Sequence, residues 1–97
     1  MEIKKTAVAG TLESSDIQIM LSQGESGIQI DLDSEVKAKF GLQIEEVITA
    51  TLRQFGIKNA KVKAVDKGAL DCVIKARTIT VAQRALGTVE KPAWEVF

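Results

Sequence analysis

The sequence predicts an α+β domain: a small β-sheet in the element order β-β-β-α-β-α, with its apolar face covered by two helices. Three observations carry this. Residues alternate between apolar and polar at the start of 17–21 and through 28–32 and 60–66, the period of a half-buried strand. Apolar residues recur at spacings of three and four in two longer stretches, the period of a helix with one buried face. The chain has 97 residues, 45% of them hydrophobic, enough for one modest core. A bundle of four helices is not what this pattern describes.

Thr6–Leu12 is small and partly β-branched and reads as a short strand that ends at the turn Glu13-Ser14-Ser15-Asp16. Ile17–Leu21 begins with alternation, and Ile28–Leu32 alternates throughout. Gln23-Gly24-Glu25-Ser26-Gly27 separates them, so the two runs read as a β-hairpin. Asp33 or Ser34 is then the N-cap of a helix over Ser34–Phe55, the longest expected, with Glu35 in its first turn. Its stripe is Val36, Phe40, Ile44, Val47, Ile48, Thr51, Leu52 and Phe55; Gly41 interrupts it and Gly56 ends it. Val36, Phe40, Ile44, Val47, Ile48 and Leu52 are expected to be buried against Ile28, Ile30 and Val62. Ala60–Asp66 is the next strand and Lys67-Gly68-Ala69 the turn after it.

Leu70–Leu86 is rich in Val, Ile and Thr, which favours a strand. Its length, and the recurrence of Leu70, Ile74, Thr78, Val81 and Ala85 at spacings of three and four, decide for a helix. Residues 87–97 lose the period and hold the one proline, Pro92. The folded domain is therefore read as residues 1–86, followed by a mobile C-terminal tail.

Thirteen basic and thirteen acidic residues balance, and no basic run exists. Nucleic acid binding driven by phosphate neutralisation is not expected. Lys4 and Lys5 are followed by no long apolar run, so neither an export signal nor a membrane span is expected, and the compartment is read as cytoplasm.

Chemistry-bearing residues are few. There is no histidine. Cys72 is the one cysteine and lies among Leu70, Val73 and Ile74; with no histidine to activate it, it reads as a buried structural residue. Asp31, Asp33 and Glu35 lack the ligand spacing and glycine of a calcium loop, so they read as capping and solvating groups, not metal ligands. Glu45 and Glu46 are adjacent and point apart on a helix, so they form no carboxylate pair. Lys61 and Lys63 share one strand face and read as solvated edge lysines. Ser14 and Ser15 remain. Each can simply turn the chain, with Glu13 and Asp16 keeping the turn solvated; without a base neither is a nucleophile, but either hydroxyl could accept a group from another enzyme.

Met1–Ile19 closely resembles the start of the acyl carrier proteins of bacterial citrate lyase, the gamma subunits of that complex. Asp31-Leu32-Asp33-Ser34, Gln54-Phe55-Gly56 and Asp66–Ile74 look like further landmarks of that family, and the likeness runs from Met1 to about Leu86. It implies a non-catalytic carrier. The family bears a phosphoribosyl-dephospho-coenzyme A group joined to a serine through a phosphodiester, and the matching position is Ser14. A separate prosthetic-group transferase would attach it. The resemblance further implies alpha and beta partner subunits: the alpha subunit exchanges acetyl for citryl on the arm's thiol, and the beta subunit cleaves the citryl thioester to oxaloacetate. The Asp-Ser-Leu motif of four-helix carriers is absent, which fits a different attaching enzyme and a different fold. The rival expectations are a carrier for a related decarboxylase and a small interaction module with no prosthetic group.

Overall fold

The structure is a computed structural model that describes residues 3–35 and 37–87. Its elements are β1 (Ala7–Ala9), β2 (Ile17–Gln23), β3 (Ile28–Ser34), α1 (Lys37–Gln54), β4 (Ala60–Asp66) and α2 (Asp71–Leu86). The predicted order of elements and the α+β class hold. The stretch read as a helix over 70–86 is helical from Asp71 to Leu86, with Leu70 as its extended N-cap.

The sheet order is β1-β2-β4-β3. β1 pairs antiparallel with β2, and β2 antiparallel with β4, while β3 pairs parallel with β4. The expected β2–β3 hairpin therefore does not form, because β4 lies between the two runs. A parallel pair needs a long crossover, and α1 supplies it between β3 and β4. The loop 24–27 passes over the start of β4. Ala60 N–H donates to the Gly27 carbonyl at 3.0 Å, and Gly27 N–H donates to Asn59 Oδ1 at 2.8 Å. Gly24 is so close to the strand below that a Cβ there would lie 2.7–2.9 Å from the backbone of Ala60. Lys61 and Lys63 do share one exposed face, but of an inner strand; the sheet edges are β1 and β3.

One face of the sheet is the core. Ile19 is opposite Ala9 on one side and Ala64 on the other, and Leu32 completes that row; Leu21, with Ala7, Val62 and Ile30, makes the next. Ile17, Ile19 and Leu21 are fully buried. α2 covers β1 and β2, α1 covers β3, and the helices pack on each other. α2 contributes Ile74, Thr78, Val81, Ala82, Ala85 and Leu86. The buried hydroxyl of Thr78 donates to the Ile74 carbonyl at 2.7 Å, so its burial leaves no polar atom unmatched.

α1 buries Ile44, Ile48, Thr51 and Leu52, with Val47 half-buried, as is Phe55 just after the helix. It ends as the sequence predicts: Gly56 has φ 74°, its N–H donates to Arg53, and Ile57 N–H reaches back to the Leu52 carbonyl, a Schellman closure. Its start differs from expectation. β3 continues through Asp33 and Ser34, which pair with Val65 and Asp66, so neither opens the helix. Ser34 Oγ–H instead donates to the buried carboxylate of Asp66 at 2.9 Å. Phe40 is not core: it is 42% exposed and lines a groove of about 400 Å³ with Ile44, Ala69 and Leu70, where the N-terminal ends of the two helices meet. Ile28 and Ile30 are only partly buried against the core. The expectations for Val36 and for the tail fall outside the described residues.

Candidate functional site

β1 is shorter than its sequence run, ending at Ala9, so residues 10–16 form a long loop before β2. Gly10 begins it. Its φ of 90° suits glycine, and a Cβ there would collide with the Ile17 carbonyl oxygen. The chain thus leaves β1 in close contact with the start of β2 and then bulges outward. Thr11, Leu12, Glu13, Ser14 and Ser15 are all exposed.

One carboxylate ties the loop together. Thr11 N–H and Thr11 Oγ1–H donate to Asp16 Oδ2 at 3.1 and 2.6 Å, and Ile17 N–H donates to Asp16 Oδ1 at 2.7 Å. From α2, Arg77 Nε and Nη2 donate to Oδ1 and Oδ2 at 3.0 and 2.9 Å. Such a two-pronged pair fixes orientation as well as distance. The hydrogen bonds from Arg77 and Thr11 hold the Asp16 carboxyl well below the usual carboxylate range, and the carboxylate in turn raises the Arg77 guanidinium. Asp16 is therefore a poor base. It is also not the solvating group that the turn reading expects, being 13% exposed in its side chain. Sequence reasoning missed Arg77, for which no local signal exists: it is one of several basic residues on α2 and lies 61 positions away.

The tip is held through backbone. Asp16 N–H donates to the Glu13 carbonyl at 3.1 Å, Ser15 N–H to the Lys67 carbonyl at 2.7 Å, and Lys67 N–H to the Asp16 carbonyl at 2.9 Å. Ser15 carries a φ of 66°, left-handed for a residue with a side chain. Ser14 makes no hydrogen bond among the described residues. The two serines are thus inequivalent. Ser15 belongs to the scaffold, and Ser14 is a free hydroxyl at the crest.

The remaining sequence candidates stand apart from this loop. Cys72 is exposed on the first turn of α2, not buried as predicted. It precedes the core residue Ile74 by two positions, about 200° around a helix, which turns it to the opposite side. Asp31 and Asp33 are exposed on β3, and Glu35 is exposed in the turn after it. Glu45 is half-buried and Glu46 exposed along α1. Among the described residues no group of three His, Cys, Asp or Glu side chains could hold a metal ion, and no helix is long and apolar enough to cross a membrane.

Residues 4–85 match the family model described as the acyl carrier protein, malonate decarboxylase delta subunit. A citrate lyase acyl carrier protein from Lactobacillus helveticus is 72% identical over 97 residues, covering all of both chains. One from Lactiplantibacillus plantarum is 74% identical over the same span. In a crystal structure of a Pseudomonas malonate decarboxylase hetero-tetramer in complex with malonate, one chain superposes with a TM-score of 0.62. It has 19% identity and 88% of each chain covered, a likeness of fold alone.

Proposed function

The chain belongs to the family of citrate lyase acyl carrier proteins, and from that premise we propose that it is the acyl carrier subunit of a citrate lyase, with its arm on Ser14. The observation that carries the reading is full-length identity above 70% to carriers of that complex. The arm is a phosphoribosyl-dephospho-coenzyme A group in phosphodiester linkage, and it supplies the thiol that holds acetyl and citryl.

The residues present fit such a group. An exposed hydroxyl with no hydrogen bond among the described residues is open to an external transferase, and the nearby Asp16 carboxylate is engaged and weakly basic, so the chain does not modify itself. A long tether keeps the acyl group at high local concentration near two partner active sites. In this reading the alpha subunit exchanges the acyl groups, the beta subunit releases oxaloacetate, and the complex works in the cytoplasm. The sheet and helices hold the serine loop out toward its partners.

Intact mass and peptide mapping of the protein from its native host test this. A large adduct on Ser14 is expected. Ser14→Ala should abolish the adduct and citrate cleavage with the melting temperature unchanged, while Ser15→Ala keeps the adduct. Mapping to Ser15 would overturn the site. An unmodified chain in active complex would overturn the carrier, and co-purification with decarboxylase subunits would transfer it to the related enzyme.

A further inference from the structure

The serine loop carries more order than a mere attachment point needs. Its two ends meet at one carboxylate: Thr11 donates to Asp16 from the entering side, and Ile17 N–H from the leaving side. That carboxylate is then bound to α2 through both of its oxygens by Arg77. Between these anchors the tip is braced by Ser15 on Lys67, and Ser14 is left without a hydrogen bond among the described residues. The Asp16–Arg77 contact thus ties the loop that carries Ser14 to α2. The pair is shielded on the aspartate side, 13% exposed, and open on the arginine side, 39% exposed. An open ion pair adds little to global stability. Its consequence should therefore be geometric.

We infer that Arg77 is a positioning residue for Ser14: through Asp16 it holds the loop in the conformation that the attaching enzyme recognises. The inference rests on the reading of Ser14 as the attachment site. In the attachment step an Oγ–P bond forms at Ser14 and a phosphoanhydride bond of the donor breaks. The hydroxyl proton passes to a base of the transferase, and phosphate or diphosphate leaves. Asp16, bound on both oxygens, takes no part in that proton transfer. Freed from Arg77, the loop samples conformers in which Ser14 is displaced, and apparent affinity falls with the fraction that remains competent.

The test uses the full chain, its transferase and a phosphoanhydride donor of the dephospho-coenzyme A class, with adduct formation followed by intact mass at varied carrier concentration. Arg77→Leu should raise KM at least tenfold with kcat little changed. Arg77→Lys, which keeps the charge but not the fork, should restore part of the loss. Arg84→Leu is the control for a merely structural role. It removes another α2 arginine contact, from Arg84 Nη1 to the Val8 carbonyl at 2.7 Å, and should load normally. The amide order parameter of Ser14 in the unloaded chain gives a readout independent of loading: near 0.85 in wild type, it should fall below about 0.6 in Arg77→Leu. A wild-type KM in Arg77→Leu, an unchanged order parameter, or equal loss in Arg77→Leu and Arg84→Leu in step with their melting temperatures would overturn the inference alone. A wild-type chain that takes no adduct on Ser14 would overturn the carrier reading and the inference together.

Discussion

The two loops that follow β1 and β2 solve different problems. The loop 24–27 is short and must pass over β4 to reach β3. It is tied to the start of the strand beneath it by the bond from Ala60 N–H to the Gly27 carbonyl and by the Asn59 side chain, with Gly24 pressed on Ala60. The loop 10–16 joins strands that are already neighbours and has no such distance to cover. It is longer than a turn requires, and beyond Gly10, where it leaves β1, it holds its shape with polar side chains: Thr11 and Asp16, with Arg77 reaching in from α2. A loop that only connects is tied down where it crosses. The serine loop is instead braced from beneath and left open at its crest.

If both loops are locked where they enter or cross, the largest losses come from adding a single methyl group there. Gly10→Ala sets a Cβ against the Ile17 carbonyl and a side chain at φ 90°, and should cost about 3 kcal/mol or more. Gly24→Ala forces a backbone shift at Ala60 and should cost about 1–3 kcal/mol. Denaturant unfolding measures both. A loss within about 0.5 kcal/mol at Gly24 would mean that the crossing is loose and the contrast between the loops overstated.

A smaller effect separates the ion-paired loop from the crossing loop by its response to acid. The folded pKa of Asp16 is depressed, so its contribution is fully present above the unfolded value of about 3.9 and is lost as pH falls toward the folded one. Asp16→Asn should be destabilised by about 1–2 kcal/mol at neutral pH. That gap should stay flat down to about pH 5 and narrow below about pH 4. A gap that does not change with acid would remove the ion pair from the account of the loop. Gly24→Ala should show no such narrowing, since no titrating group enters its cost.

The smallest expected effect concerns the face of α2 away from the sheet. Cys72→Ser should change stability by less than about 0.5 kcal/mol, and the thiol should react with a disulfide reagent at once, without denaturant. Slow labelling that needs unfolding would return Cys72 to the core.

Local periodicity, with length deciding α2, was enough to read every element after β1. Ile17, Ile19 and Leu21 alternate because one side of β2 is buried, and Ile74, Thr78, Val81 and Ala85 recur because one side of α2 is. Cys72 and Phe40 show where that reading stops. Both are apolar neighbours of a true stripe, but one lies across the helix from the core and the other lines an open groove beside Ile44. Whether an apolar residue at a helix end is covered depends on what packs there, which its own helix does not encode.

The same limit governs the sheet and the site. The sequence by itself determined the class, the order of strands and helices, the C-terminal end of α1 at Gly56, and the exposed serine turn, because each follows from neighbours within a few residues. Only the tertiary structure decided that β4 enters between β2 and β3, since alternation names a strand's buried face and not its partner. Only it could bring Arg77 to Asp16, because a salt bridge across 61 residues leaves no period or spacing to read. It also set the two serines apart, binding the backbone of Ser15 to Lys67 and leaving Ser14 free of hydrogen bonds among the described residues.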